Sequence, residues 1–122
     1  MEGSFSVGYP VVHFEVAGKD GAKLNSFYGD LFDWKIDSNN PMNYGIVDTG
    51  GQGGINGGIA GGDHGEPRVT FYVAVPDPQA TLDEAERLGG RTIMPVSEIP
   101  GAGVTLAMLS DPEGNVVGII KS

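Results

Sequence analysis

Short runs of alternating apolar and polar residues, interrupted by two helical patterns, make up most of the chain. In Val11–Ala17, Phe14 and Val16 alternate with His13 and Glu15, which is the two-residue period of a half-buried strand. A shift by one residue would bury the polar set, so the facing of this strand is well determined. We predict a strand with one apolar and one polar face.

Both helical patterns begin at an aspartate that can cap a helix. After Asp20, apolar residues recur at helical spacing through Leu24, Phe27, Tyr28 and Leu31, which predicts a helix over Gly21–Phe32 with Phe27 and Tyr28 in the core. Asp77 is followed by proline at the first helical position, and Gly89-Gly90 ends that pattern. The second helix is therefore predicted between these two signals.

The remaining alternating or apolar runs predict seven further strands. They are Trp34–Asp37, Tyr44–Asp48, Gly54–Ala60, Val69–Val75, Arg91–Pro95, Val104–Leu109 and Val116–Ile120.

The chain repeats itself in two halves. His13–Ile36 aligns without a gap with Thr70–Ile93, and the identical pairs include Phe14 with Phe71 and Val16 with Val73. Each half reads β-α-β-β-β. We predict one domain over residues 1–122, with one module at about 9–60, a Gly-rich linker at 61–67 that carries an exposed His64, and a second module at about 68–122.

Composition and charge exclude several classes of function. The 122 residues carry a formal net charge of −9 with seven basic residues, which disfavours binding to nucleic acid or to anionic membranes. The absence of cysteine excludes disulfides and thiolate metal sites. With no apolar run long enough for a membrane span and no signal-peptide pattern, we expect a cytoplasmic protein.

Three motifs support a family resemblance by their order and spacing. They are His-x6-Asp-x6-Phe-Tyr from His13 to Tyr28, running into Leu31–Trp34; Leu88–Gly90; and the turn Asp111–Asn115 before the last strand. Together with the duplicated βαβββ pattern, they resemble the vicinal oxygen chelate superfamily of glyoxalase I, bleomycin-resistance proteins and extradiol dioxygenases.

The resemblance implies an α+β fold in which two tandem βαβββ modules form a curved, U-shaped, eight-stranded sheet with the helices on its convex face. The apolar strand faces would then meet the helices, and His13, Glu15, Thr70 and Tyr72 would look into a cleft. Because relatives with two modules per chain commonly pair, a homodimer is also expected.

The resemblance also implies four positions for metal ligands, one on the first and one on the last strand of each module. His13 matches one of them, but Thr70 and Gly118 occupy two others, and the fourth falls among Asn56, Gly57 and Gly58. Catalytic metal sites need about three protein ligands, mostly imidazole or carboxylate groups. We therefore expect neither a metal nor another cofactor.

The candidate site residues are the polar, aromatic, soft or small residues placed on the cleft strands. His13 and Glu15 are candidates for acid/base chemistry, because a neighbouring carboxylate can tune an imidazole near pH 7. The alternative is that they only line the wall of the cleft. The predicted ligand-binding residues are His13, Glu15, Trp34, Tyr44, Asn56, Thr70, Tyr72, Met94, Met108 and Gly118.

Three hypotheses for function follow. The first is a metal-free, glyoxalase-like protein that binds a small organic molecule in the cleft, with a cationic ligand favoured by the acidic charge. The second is a lyase, isomerase or dioxygenase of the same fold with an atypical site at His13 and Glu15. The third is a structural or partner-binding domain with a collapsed cleft.

Overall fold

The described residues form eight strands and two helices in the order that the sequence predicts. A computed structural model describes residues 8–62 and 66–122, so His64 lies outside the described residues. The elements are β1 (Val11–Ala17), α1 (Gly21–Phe32), β2 (Lys35–Asp37), β3 (Gly45–Asp48), β4 (Gly57–Ala60), β5 (Arg68–Val75), α2 (Pro78–Arg87), β6 (Arg91–Ile99), β7 (Val104–Ser110) and β8 (Val116–Lys121). The strands belong to a mixed sheet, and the predicted α+β class with two βαβββ modules is confirmed.

The contacts within the chain define two compact units. The β1–β4 unit comprises Val12–Tyr72, and the β6–β8 unit comprises Val73–Ser122 with the described residues before Val12. The strand order in the first unit is β2-β3-β4-β1, followed by the first residues of β5, and β1 pairs with β4 in parallel. In the second unit the last residues of β5 are followed by β8-β7-β6, with β7 antiparallel to both neighbours.

Each unit has its own apolar core between its strands and its helix. In the β1–β4 unit, Val16, Val47 and Ile59 are buried, and Phe14, Leu24, Tyr28, Trp34 and Ile36 pack against them. In the β6–β8 unit the buried residues are Val75, Leu82, Ala107 and Ile119. The predicted apolar faces of β1 and β5 contact these cores at Phe14, Val16, Val73 and Val75. Val12 and Phe71, predicted on the same two faces, are 41% and 42% exposed.

Two aspartates start the helices as predicted. The Asp20 side chain accepts a 3.0 Å hydrogen bond from the backbone N–H of Lys23, and Asp77 accepts one of 3.1 Å from Ala80. Both satisfy backbone donors that the first helical turn leaves without a partner. In the described part of the chain, neither helix has the length and apolar character needed to cross a bilayer.

Strand β6 is longer than its sequence predicts. The proline at position 95 predicts an end there, but the strand continues to Ile99. The pairing with β7 shifts register between Thr92 and Met94 and again between Met94 and Ser97. Because β6 is the last strand in the order and is irregular there, Pro95 needs no ladder hydrogen bond.

The predicted burial of Phe27 is wrong. Leu24 and Tyr28 pack against the core, but Phe27 and Leu31 lie more than half exposed on the other side of α1, and no residue of this helix is buried. The helical spacing predicts a stripe of four apolar residues, but only Leu24 and Tyr28 pack against the core of this unit.

Candidate functional site

Strand β1 places His13 and Glu15 on the face opposite the apolar core. Their neighbours Phe14 and Val16 point toward α1, so alternation sends the His13 and Glu15 side chains to the other side. Glu15 is only 8% exposed. In the parallel pairing of β1 with β4, the residue directly opposite Glu15 is Gly58. A carboxylate is therefore buried beside a position without a side chain.

Tyr44 fills the space above Gly58. A Cβ built on Gly58 would lie 1.8 Å from the Tyr44 hydroxyl oxygen and 2.0 Å from the ring carbon that carries it. The Asn40 side chain fixes the backbone of Tyr44 from both sides, donating to its carbonyl at 2.7 Å and accepting from its N–H at 2.9 Å. Gly58 is thus the position that lets the Tyr44 phenol cross β4 to reach β1.

The Tyr44 hydroxyl connects Glu15 with His13. It donates a 2.8 Å hydrogen bond to Glu15 Oε1 and lies 2.8 Å from His13 Nε2. A phenol has one proton, and here that proton is given to the carboxylate. The hydrogen bond to His13 must then be donated by the imidazole, which assigns the proton to Nε2 and leaves Nδ1 as an acceptor.

Strand β5 contributes a second tyrosine to the same cluster. The Tyr72 ring meets the His13 ring edge-on, with 5.5 Å between the centroids. The Glu15 carboxylate and the Arg68 guanidinium both act on the pKa of its hydroxyl, the carboxylate more strongly. Thr70, on the same face of β5, is buried as well. We refer to His13, Glu15, Tyr44 and Tyr72 as the His–Tyr–Glu cluster.

Burial and the Glu15 charge shift the ionisation of the other members of the cluster. Burial lowers the pKa of His13, and the Glu15 carboxylate offsets part of this effect. Burial, followed by the Glu15 charge, raises the pKa of Tyr72 to about 12. The pKa of Tyr44 is raised further by the same causes. At neutral pH the imidazole is therefore neutral and both phenols keep their protons.

The donor set does not fit the metal that the fold family implies. The Tyr44 hydroxyl is hydrogen-bonded to both His13 and Glu15 and occupies the space between them. Among the described residues, no group of three or more His, Cys, Asp or Glu side chains has the arrangement of a metal site. A cation at His13 and Glu15 would have to displace Tyr44 and would still lack a third strong donor.

Four of the ten predicted site residues form this cluster, and Thr70 lies on the same face of β5. Trp34 is placed elsewhere, on the helix side of the sheet, where its ring stacks on Tyr28 and lies tilted against Phe14, with centroid distances of 5.5 Å and 5.3 Å. Asn56 accepts hydrogen bonds from the backbone and side chain of Thr49 and holds the turn between β3 and β4. The structure therefore does not bring Trp34 or Asn56 to the cluster.

The last three predicted residues lie in the β6–β8 unit. Met94 pairs with Met108 across β6 and β7, and Met108 pairs with Gly118 across β7 and β8. They form a row next to the core row of Ala107 and Ile119, and alternation puts them on the face away from α2.

Sequence reasoning missed Arg68, the partnership of Tyr44 with Gly58, and the clamp by Asn40. A glycine on a strand next to an aromatic residue is a weak signal for such a partnership. The pairing of Gly58 with Glu15 joins distant parts of the chain, and no local pattern specifies it.

Comparison with known proteins identifies the family. The profile of a glyoxalase-like domain matches residues 13–120. The chain is also 32% identical over 109 residues to "Putative glyoxylase CFP32" of Mycobacterium tuberculosis, in an alignment that covers 82% of this chain and 41% of that protein. The chain belongs to the glyoxalase-like domain family and spans about two fifths of the length of this curated relative.

Solved structures show the same fold. A glyoxalase/bleomycin resistance protein/dioxygenase superfamily member from Vibrio splendidus is 17% identical with a TM-score of 0.63, covering 94% of this chain and all (100%) of that one. Methylmalonyl-CoA epimerase from Mycobacterium tuberculosis is 13% identical with a TM-score of 0.67, covering 99% and 92%. The predicted membership in the vicinal oxygen chelate superfamily is confirmed.

Replacing Gly58 by alanine tests the placement of Tyr44. The new methyl group would expel the phenol, so Gly58→Ala should lower the free energy of unfolding by about 1–3 kcal/mol through the lost hydrogen bonds and packing. In a Tyr44→Ala background the same change should cost much less. Chemical denaturation of all four chains measures this coupling. Gly51→Ala, at an open position, is the control. Equal costs in both backgrounds would contradict the placement.

Replacing Glu15 by glutamine should shift two ionisations in the same direction. The pKa of His13, measured by NMR in a His64→Gln background, should fall further, because Glu15 raises it. The pKa of Tyr72, obtained by ultraviolet titration against Tyr72→Phe, should fall from about 12 toward its ordinary value.

The Tyr72 shift also gives the sign of the pH dependence. The pKa of Tyr72 is raised from 10.0 to about 12 on folding, so its contribution to stability is complete below pH 10 and is lost as the pH rises through 12.

The control for the Glu15→Gln titrations is Glu98→Gln, at an exposed residue of β6, which should leave the pKa values of His13 and Tyr72 unchanged. Unaltered pKa values in Glu15→Gln would show that Glu15 does not act on this cluster.

Proposed function

We propose that the chain binds a small organic molecule at the His–Tyr–Glu cluster, without a metal ion. One observation carries the proposal: the carboxylate of Glu15 is buried and accepts a hydrogen bond from the Tyr44 phenol, which also contacts the His13 imidazole, with the Tyr72 ring packed against that imidazole. Burying a charged group is costly, and an apolar side chain at such a position often serves stability as well or better. Buried titratable clusters of this kind concentrate at functional sites.

The directions of the hydrogen bonds suggest the chemistry of the ligand. The Tyr44 phenol gives its proton to Glu15, and His13 gives its Nε2 proton to Tyr44. The cluster thus uses these two donors internally and keeps acceptors: lone pairs on the carboxylate and on the phenols, and His13 Nδ1. Such a surface suits a ligand that brings N–H or O–H groups.

An organic cation is the ligand class that best matches these acceptors. The phenol and imidazole rings offer aromatic faces to a cation, and the carboxylate offers an opposite charge. The net charge of −9 would favour the approach of a cation over that of an anion. We therefore propose an amine or guanidine with an apolar or flat body as the ligand.

The metal-free state is supported by the placement of Tyr44. Its hydroxyl lies 2.8 Å from each of the two groups that a cation would need as ligands. At the other family positions, Thr70, Gly118 and the three candidates Asn56, Gly57 and Gly58 add no carboxylate or imidazole. In this chain the Tyr44 hydroxyl, and not a cation, links His13 to Glu15.

An acid/base enzyme with the same residues is the second candidate. The lowered pKa of His13 keeps its imidazole neutral at pH 7, with Nδ1 as an available base. Uptake of a proton there would leave a positive charge that Glu15 can stabilise through Tyr44. Structural relatives include methylmalonyl-CoA epimerase in complex with methylmalonyl-CoA and NH4+, 15% identical with a TM-score of 0.62, which supports the fold as one that accommodates small molecules.

A ligand screen tests the proposal. Thermal denaturation with a library of amines, guanidines, quaternary ammonium compounds and matched carboxylic acids should find stabilising compounds among the cations. A ligand at 100 times its dissociation constant should add about 2.7 kcal/mol to the free energy of unfolding. Glu15→Gln should remove most of this gain, whereas Glu98→Gln should keep it.

Two results would contradict the proposal. One is a library without a binder, or with binders that stabilise Glu15→Gln as well as the parent chain. The other is a stoichiometric divalent metal in protein purified without chelators. Consumption of a bound compound, followed by NMR and abolished by His13→Gln, would favour the acid/base enzyme over a pure binder.

A further inference from the structure

The β1–β4 unit has an open groove on its helix side, where β1 ends, α1 begins and β5 starts. Its volume is about 520 Å³, which is within the range of roughly 300–1,000 Å³ of small-molecule sites. Val16, Leu24 and Val69 form an apolar wall, and Tyr28 also lines the groove. The Val69 side chain is 72% exposed, so a ligand in the groove could still cover it. We call this feature the β1–α1 groove.

The charge of the β1–α1 groove is opposite to that of the chain. The chain has 16 acidic and seven basic residues, and three of those seven line the groove: Lys19, Lys23 and Arg68. Among the described residues, the one acidic residue of the lining is Asp20. Its carboxylate is engaged in capping α1, where it accepts the backbone N–H of Lys23. In the described part of the chain, neither lysine takes part in an ion pair.

These charges select one class of ligand. Two ammonium groups that line one groove repel each other, and an anion of charge −2 relieves this repulsion more than a singly charged carboxylate does. A phosphate monoester carries close to two negative charges at neutral pH and has several acceptor oxygens. The lysine ammonium group suits it, because it is a compact charge with three donors.

We propose that the β1–α1 groove binds a phosphate monoester with an apolar body, with Lys19 and Lys23 holding the phosphate group and Val69 covered by the body. The site is separate from the His–Tyr–Glu cluster, because Val16 lines the groove and Glu15 lies on the opposite face of β1. Binding in the groove therefore does not depend on binding at the cluster.

Titration with phenyl phosphate, followed by the backbone amide signals in NMR, tests the proposal. The signals of residues 18–24 and of Val69 should move and saturate, with a dissociation constant on the order of 0.1–1 mM. Phenylacetate has a similar ring but a single charge and should bind about tenfold more weakly. Inorganic phosphate lacks the apolar body and should also bind more weakly than phenyl phosphate.

Four variants separate the contributions of charge and apolar contact. Lys19→Gln and Lys23→Gln should each raise the dissociation constant of phenyl phosphate about three- to tenfold. Asp20→Asn removes a negative charge but keeps a good capping residue, so it should lower this constant. Val69→Ser should weaken the binding of phenyl phosphate and leave that of inorganic phosphate unchanged.

The controls are matched in charge and lie outside the groove. Lys35→Gln on β2 and Lys121→Gln on β8, both exposed, should leave the dissociation constant unchanged. Circular dichroism checks that each variant is folded, which the exposure of Lys19, Lys23 and Val69 favours.

Three outcomes would overturn the proposal. The first is the absence of saturable shifts up to about 10 mM phenyl phosphate. The second is a set of shifts that lies elsewhere, for example around Tyr72, or a dissociation constant that neither lysine variant changes. The third is equal affinity for phenyl phosphate and inorganic phosphate, which would exclude a role for the apolar wall.

Discussion

The phenol of Tyr44 lying across Gly58 is the constraint on which the rest of the site depends. With any side chain at position 58, the ring could not pass over β4, and neither hydrogen bond of its hydroxyl would form. The parallel pairing of β1 and β4 brings Gly58 opposite Glu15, so the missing side chain lies next to the buried carboxylate. Asn40 then fixes the tyrosine backbone from both sides, which limits its movement to the side chain.

The chemistry of the site follows from that single hydroxyl group. One phenol proton cannot serve two acceptors, so its donation to Glu15 decides the tautomer of His13. The Tyr72 ring packs edge-on against the same imidazole, and the cluster keeps His13 Nδ1 and lone pairs of Glu15 as acceptors for the proposed ligand. Because the Tyr44 hydroxyl lies between the imidazole and the carboxylate, it fills the space that a cation would need there. The proposal of binding without a metal therefore depends on where the Tyr44 ring lies.

Local sequence patterns predict much of this architecture. Alternation placed His13 and Glu15 opposite Phe14 and Val16, and Asp20 and Asp77 were identified as the caps of both helices. The boundaries of β1 and α1 are those the patterns predict. These features depend on residues close together in sequence, where period and capping chemistry act directly.

The errors and omissions concern contacts between distant parts of the chain. Trp34 precedes a strand of three residues, which is too short for alternation to decide its side, and it packs with Phe14 and Tyr28 in the core. Phe27 fits the helical period as well as Tyr28 does, but the strands cover only one edge of that stripe. The pairing of Tyr44 with Gly58 depends on the register of β3, β4 and β1, which no single segment encodes.

A crystal structure at atomic resolution, from crystals grown with excess zinc or nickel, tests the central claim most directly. The account predicts the Tyr44 hydroxyl at about 2.8 Å from both His13 Nε2 and Glu15 Oε1, with no anomalous scattering between them. A metal ion bound by His13 and Glu15, with the Tyr44 ring turned away from Gly58, would contradict it.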